Sequence, residues 1–567
     1  MVLEATAQMC ENDLAPLNET ADQVGCQWID EVTIKTPPGF KECYDMYTES
    51  EWQGLSFPPE FGGQGLPMSL ALMHSEMIAA ANWTWLMFPG LSKGAINTIF
   101  AHGTDELKEK YLPPLVKGEF TGTMCLTEPQ CGSDLGQVTT KAIPNEDGSF
   151  TLSGTKIFIS CGDHDLTDNV IHCVLARLPN APEGTKGISL FLVPKRIVES
   201  GDLNGVKVSR IENKMGCHGS PTCQMEFEDA KGWIIGTENK GLNHMFTFIN
   251  TSRVGTAVQG VAAAELAFQN SLWYAKDRKS MRSLSGVKDE GSVADPIIWH
   301  PSVRSMLLTQ KAVAEGGRSM VYECAKIADN MIDLERAGDA KGAAALDERL
   351  GFLTPILKGF LTEVGKEAAD LGIQVYGGHG YIKDNKAEQV YRDVRIAPVW
   401  EGTTQIQALD LLGRKIMLQK LKPIQEHCKG IASQCLPLLT HSDSQLRGHA
   451  WSLLMKVAEW QFLTMRIALK AKDNRDFISS ASVDYLMYGG YVSLASHWLE
   501  MEAVSVKALS SGEMVEEKDF YTAKVQTSAF VFENLLPRTV GHRAGMLTPI
   551  ESIMDMNMEH FSFDHAR

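Results

Sequence analysis

At 567 residues, with 44% hydrophobic and 22% charged side chains, the chain has the composition of a soluble globular protein too long for one core, so two to four domains are expected. Its formal charge of −17 speaks against nucleic-acid and anionic-membrane partners, and no apolar run reaches the roughly 18 residues of a membrane helix. The twelve cysteines form no Cys-x-x-Cys pair, the fifteen histidines no HExxH, and the first residues are acidic and amphipathic, so reduced, mostly buried thiols, no metal site and a cytoplasmic setting are expected.

Residues 1–122 read as helical, interrupted by loops at Lys35-Thr36-Pro37-Pro38-Gly39 and Pro58-Pro59-Glu60-Phe61-Gly62-Gly63. From 123 to 238 short β-prone runs alternate with turn clusters. Val170-Ile171-His172-Cys173-Val174-Leu175 and Ile188-Ser189-Leu190-Phe191-Leu192-Val193 are two of them, and their spacing predicts an antiparallel sheet domain. Helical periodicity returns over 239–419. Helices are predicted at 254–274, 302–334, 342–373 and 403–419, with a polar loop from Arg282 to Asp295. Residues 420–567 stay helical and form an additional helical domain. The fold class is thus α+β and multidomain: an N-terminal helical domain, a middle antiparallel β domain, a helical bundle and a helical tail.

Chemistry concentrates in a few stretches. Leu126-Thr127-Glu128-Pro129-Gln130-Cys131-Gly132-Ser133-Asp134 offers hydroxyls and glycine-freed N–H groups suited to a polar ring edge or a phosphate. Lys156-Ile157-Phe158-Ile159-Ser160 alternates, so Phe158 and Ser160 are expected on one sheet face, an aromatic beside a hydroxyl. Gln374-Val375-Tyr376-Gly377-Gly378-His379-Gly380-Tyr381 is dense in glycine. It is followed by Val399-Trp400-Glu401-Gly402-Thr403-Thr404-Gln405, where a carboxylate stands beside an apolar wall. Partial desolvation would raise its pKa and suit it to take a proton from carbon. Taken alone, the same stretch fits an exposed loop acid.

Together these motifs resemble the acyl-CoA dehydrogenase family, in family order over roughly residues 50–412. The run Thr127-Glu128-Pro129 with Gly132-Ser133-Asp134 is followed by Asn213-Lys214-Met215-Gly216, Asn250-Thr251-Ser252-Arg253, Tyr274-Ala275-Lys276-Asp277-Arg278, the glycine run, Tyr391-Arg392-Asp393 and finally Trp400-Glu401-Gly402-Thr403. The resemblance implies FAD as cofactor and an acyl-CoA thioester as substrate. Glu401 is then the base that removes the α-proton while the β-hydrogen leaves as hydride. Leu126, Thr127, Phe158 and Ser160 match flavin-ring contacts, and Ser133 a contact near the FAD phosphate and CoA. Arg278 matches an arginine on the FAD pyrophosphate of a neighbouring subunit, with Gln374, Gly377 and Gly378 nearby, and Thr403 and Gln405 match the adenosine side. Asn250 and Arg253 match the CoA-contacting helix, with a structural salt bridge as the alternative for Arg253, and Trp400 and Gly402 flank the thioester. Trp83, Trp85, Met87 and Phe88 either wall the acyl pocket or pack the helix. The implied partners are electron-transferring flavoprotein and a second copy of the chain, as a homodimer or dimer of dimers.

Within the family, the runs Phe158-Ile159-Ser160-Cys161-Gly162-Asp163-His164 and Lys214-Met215-Gly216 with Ser220-Pro221-Thr222-Cys223 resemble the 3-methylmercaptopropionyl-CoA dehydrogenase subgroup. That implies conversion of 3-methylmercaptopropionyl-CoA to methylthioacryloyl-CoA in dimethylsulfoniopropionate breakdown. A broad medium- or long-chain dehydrogenase of β-oxidation, an acyl-CoA oxidase and a non-enzymatic DNA-binding relative are the rival readings, the last disfavoured by the acidic balance.

Overall fold

The computed structural model describes residues 1–511 and 516–561. In chain order it begins with helices α1 (Val2–Met9) and α2 (Ala15–Val24), a hairpin of β1 (Gln27–Asp30) and β2 (Thr33–Lys35), and α3 (Phe40–Glu49), α4 (Met68–Ala81), α5 (Trp83–His102) and α6 (Asp105–Lys117). The sheet comprises β3 (Phe120–Cys125), β4 (Lys141–Pro144), β5 (Phe150–Ser160), β6 (Asn169–Arg177), β7 (Ile188–Pro194), β8 (Val206–Ile211) and β9 (Thr222–Ile234). Long helices α7 (Gly241–Asp277), α8 (Pro301–Arg336) and α9 (Ala340–Tyr376) follow, then short α10 (Gly378–Tyr381), α11 (Ala387–Val394) and α12 (Thr404–Leu409). The tail carries α13 (Lys422–Cys435), α14 (Ser444–Asp473), α15 (Asp476–Ser511), α16 (Lys518–Phe530), α17 (Thr539–Leu547) and α18 (Glu551–Met554). No helix among the described residues is long and apolar enough to cross a membrane. All twelve cysteines carry free thiols, and all but Cys26 are buried.

Two compact units emerge: Met1–Ala262 with Ile382–Ile396, and Ala263–Tyr381 with Ala397–Arg567. In the first, the strand pairings close a ring, β6–β4–β5–β9–β7 and back to β6. Most pairs are antiparallel, but β6 runs parallel to both β4 and β3, so the sheet is mixed where an antiparallel one was expected. For β3 the reason is the helical stretch 83–117 ahead of it, which delivers that strand from outside the meander. Strands β6 and β7 are buried along nearly their whole length, which explains their uninterrupted apolar runs.

The hairpin β1–β2 is a second departure from the all-helical reading of 1–122. Its turn is held by tertiary bonds, Val208 N–H to the Glu31 carbonyl at 2.7 Å and Lys195 Nζ to the Val32 carbonyl at 3.0 Å, which no local pattern announces. Trp85 and Phe88 are fully buried packing residues, Trp85 Nε1 donating to the Phe40 carbonyl at 3.2 Å. Met87 is buried as well, its sulfur accepting from the Ser220 hydroxyl at 3.1 Å.

Helix α11 is fixed in the first unit by an ionic cluster. Arg392 grips both oxygens of Asp22 at 2.8 and 2.6 Å and also bonds Glu388. Asp22 Oδ1 lies 3.0 Å from His218 Nδ1, whose other nitrogen lies 2.9 Å from the Lys214 carbonyl. Burial opposes ionisation of Asp22, but hydrogen bonds from His218 and Arg392 outweigh it and hold the carboxyl below the usual range. The Asp22 hydrogen bond raises the His218 pKa to about 9, against partial burial. Next door, burial pushes Asp393 up to about 6 although its carboxylate accepts the Cys217 N–H at 2.6 Å. Gly216 is required here, because a Cβ would stand 2.6 Å from the Arg392 carbonyl oxygen.

His218 links the stability of this cluster to pH. A raised folded-state pKa contributes stability that is complete below the unfolded value near 6.5 and is lost as pH rises through about 9. His218→Gln should therefore cost about 1–2 kcal/mol at pH 6 and almost nothing at pH 10. Thermal unfolding of both proteins across that range checks it; a constant difference in melting temperature would refute it.

In the second unit α8 and α9 pair, and the tail packs on them. Trp498 Nε1 donates to the Ala312 carbonyl at 3.0 Å, Phe360 and Tyr491 meet edge-to-face at 5.0 Å, and Lys524 reaches Glu315 at 2.8 Å. The predicted helix 403–419 is instead α12 followed by a π-helical stretch Asp410–Met417.

Candidate active site

The first unit carries the residues matched to the flavin ring. The Ile157 N–H donates to the Thr127 carbonyl at 2.9 Å, which lays the 126–128 segment along β5. Underneath sits a buried pair, Lys156 Nζ to Glu128 Oε1 at 2.8 Å, with side chains 0% and 1% exposed. Lys156 also donates to the Leu126 carbonyl at 3.1 Å. Glu128 accepts further from the N–H and hydroxyl groups of Thr139 and Thr140 at 2.6–3.0 Å and from Gln130 Nε2 at 2.7 Å. Burial alone would raise this carboxyl; Lys156 and the hydrogen bonds outweigh it and hold it down at about 2. Sequence reasoning missed both roles. The signal was present, an acid in the Thr-Glu-Pro turn and a lysine on an otherwise β-prone strand, but nothing local joins them.

Above this pair, β5 bulges between Lys156 and Ile159 opposite β9, and Phe158 takes a left-handed φ of 58°. Phe158 is 60% exposed and Ser160 partly exposed, with Ile159 between them 2% exposed, as alternation predicts, while the bulge separates them from buried Lys156. A large aromatic held outward in a strained conformation beside hydroxyls is suited to stacking on a planar polar ring. Ser133 is exposed in the turn after β3. Asn250 and Arg253 lie three apart on α7, the former exposed and the latter buried, its guanidinium 6.0 Å from the Phe246 ring centre.

The second unit carries the remaining residues. Tyr274 stacks on Tyr376 at 4.1 Å and its hydroxyl lies 3.0 Å from His379 Nδ1, so the end of α7 with exposed Arg278 is tied to Gln374, Gly377 and Gly378 at the end of α9. These exposed groups, a guanidinium and glycine N–H groups, have the donor chemistry for a pyrophosphate. The exposed aromatic and hydroxyls of the first unit, taken by themselves, have the chemistry for a flavin ring, so the residues of each unit fit a part of FAD.

Trp400, Glu401, Gly402, Thr403 and Gln405 form the turn into α12, all partly buried. Glu401 and Gly402 have φ of 55° and 87°, two left-handed residues in succession. Gly402 is needed, since a Cβ would meet Gln407 Nε2 at 2.8 Å. Thr403 caps α12 through its hydroxyl, which accepts from Ile406 N–H at 3.2 Å, and the Thr404 hydroxyl donates to Glu363 at 2.7 Å. Gln405 is held by the tail: its amide donates to the Ser479 carbonyl and the Ser482 hydroxyl, each at 3.2 Å. That leaves the Gln405 carbonyl oxygen as the side-chain atom not engaged in these bonds.

Family models match the chain in four consecutive parts: acyl-CoA dehydrogenase N-terminal domain over 1–119, middle domain over 123–230, C-terminal domain over 239–417, and an acetyl-CoA dehydrogenase C-terminal-like domain over 421–557. The chain belongs to the acyl-CoA dehydrogenase family of FAD-dependent oxidoreductases, with the additional C-terminal helical domain. Among individual relatives, it is 38% identical to 3-methylmercaptopropionyl-CoA dehydrogenase of Ruegeria pomeroyi, over 94% of this chain and 90% of that one. It is 32% identical to a broad-specificity linear acyl-CoA dehydrogenase of Mycobacterium tuberculosis, over 93% and 88%. Among solved structures, an acyl-CoA dehydrogenase complexed with FAD from Bacillus anthracis shares the fold with a TM-score of 0.78 at 22% identity, covering 99% of this chain and 89% of that one.

Proposed function

We propose that this acyl-CoA dehydrogenase acts on a short or medium acyl-CoA, with 3-methylmercaptopropionyl-CoA as the preferred substrate and Glu401 as the base. The Glu401 carboxylate takes the α-proton, and the electron pair of that C–H bond becomes the new α,β double bond as a hydride leaves the β-carbon. When bound, FAD supplies the acceptor for that hydride. The Glu401 N–H bonds the thioester carbonyl and steadies the charge that builds there as the α-proton departs. By their match to the family, Leu126, Thr127, Phe158 and Ser160 contact a flavin ring and Ser133 a phosphate near FAD and CoA; Arg278, with Gln374, Gly377 and Gly378, contacts the FAD pyrophosphate of a neighbouring subunit; Thr403 and Gln405 contact an adenosine side; Asn250 and Arg253 contact CoA, and Trp400 and Gly402 flank the thioester.

The observation that carries this reading is the turn at 400–403. It presents one partly buried carboxylate from two successive left-handed residues whose carbonyls are held by Gln407 and Lys358. The Ruegeria pomeroyi relative supports the thioether substrate. The sulfur of such a chain is soft and packs well against aromatic rings. Electron-transferring flavoprotein is the proposed acceptor, and a homodimer or dimer of dimers the proposed assembly. Steady-state rates with butyryl-, octanoyl-, palmitoyl- and 3-methylmercaptopropionyl-CoA test the substrate. The thioether substrate is expected to give the highest kcat/KM, and a wide preference for palmitoyl-CoA overturns the assignment. Peroxide formed with substrate and oxygen alone would instead mark an oxidase.

A further inference from the structure

We infer that Lys358 and Gln407 are positioning residues for proton abstraction, acting on the main chain of the turn that carries Glu401. The inference rests on Glu401 being the base. The Glu401 carbonyl accepts from Gln407 Nε2 at 2.9 Å, and the Gly402 carbonyl accepts from Lys358 Nζ at 2.5 Å and, more weakly, from Gln407 Nε2 at 3.5 Å. Both side chains are 0% exposed. Gln407 Oε1 has no partner among the described residues, so its amide is oriented by the two carbonyls it serves.

The physical need is specific. Two consecutive left-handed residues swing their carbonyls into the protein, where each must find a donor or lose about 1–3 kcal/mol. A left-handed glutamate is itself strained by about 1–2 kcal/mol. Without the two donors the cheapest relaxation is rotation of Glu401 toward right-handed φ. That rotation moves its carboxylate and redirects the neighbouring peptides, so base and carbonyl donor would be lost together. Both donors stand on rigid elements: Lys358 in the middle of the 37-residue α9, and Gln407 one turn into α12. The Thr404 hydroxyl bond to Glu363 ties the same turn to α9 a second time.

The test compares Lys358→Met and Gln407→Met with Glu401→Gln, all as FAD-loaded full-length protein. The readouts are FAD content, acyl-CoA Kd and the anaerobic rate of flavin bleaching per bound flavin. Displacing a reacting group by about 1 Å costs roughly 10²-fold, so each methionine variant is expected to lose bleaching rate on that scale with Kd changed less than about threefold. A purely structural role would lower FAD content or melting temperature and leave the rate per bound flavin at the wild-type value; that result in either variant overturns the inference for that residue. Gln407→Met leaves the buried amine in place and carries the test should Lys358→Met accumulate poorly. Retained bleaching in Glu401→Gln would instead defeat the assignment of the base, a different failure.

Discussion

Glu401→Gln should bind FAD and acyl-CoA as the wild type does and lose anaerobic flavin bleaching by about 10³–10⁴-fold. The substitution keeps the shape of the side chain and leaves the backbone turn intact. Gln407 and Lys358 still hold the carbonyls of residues 401 and 402, and Thr403 still caps α12. The N–H that meets the thioester carbonyl is also preserved, so substrate affinity should change little. What disappears is the only group of the turn able to accept a proton from carbon, since its other side chains are an indole and hydroxyls with an amide beyond. Stopped-flow bleaching with an acyl-CoA in excess measures this directly. A loss below about tenfold would mean that the base lies elsewhere in the chain.

The second large effect concerns stability. Lys156→Met should destabilise the first unit by about 3–5 kcal/mol, because it strands the Glu128 carboxylate in a site with 1% exposure. The other donors to Glu128 are neutral, from Thr139, Thr140 and Gln130, and cannot replace the lost charge. The Leu126 carbonyl loses a donor as well, so the segment that lays Thr127 along β5 loosens and FAD should be retained less well. Denaturant unfolding of the apoprotein and FAD content after gel filtration are the measurements. Adding Glu128→Gln to Lys156→Met should recover part of the stability, since the uncompensated charge is then gone while an amide oxygen still accepts from the threonine donors. A double variant no more stable than Lys156→Met would show that the pair's cost lies in packing rather than charge.

Much of the fold was legible because burial writes itself into local pattern. Strands β6 and β7 are covered on both faces and read as unbroken apolar runs, and the long helices α8 and α9 announce themselves by period within a few residues of their ends. The family was legible because its motifs hold short-range chemistry in a fixed order. What escaped was fixed by distant partners. The β1–β2 hairpin depends on Lys195 and on Val208, more than 160 residues away. Lys156 and Glu128 are 28 residues apart and look like ordinary charges until the fold joins them. Phe158 and Ser160 do share a side, as alternation predicts, but the register shift against β9 and the left-handed φ of Phe158 lie beyond what alternation within β5 can reveal. Gln405 was read for its motif position, yet Ser479 and Ser482 of the tail take up its amide, and no pattern near residue 405 hints at them.

Proton removal can be separated from redox chemistry altogether. An acyl-CoA analogue with sulfur in place of the β-carbon has α-hydrogens but no β-hydrogen to give up, so deuterium entering its α-position from heavy water reports Glu401 alone. The wild-type protein should wash deuterium into that carbon at least about 10³ times faster than Glu401→Gln. Equal exchange rates in the two proteins would contradict the account.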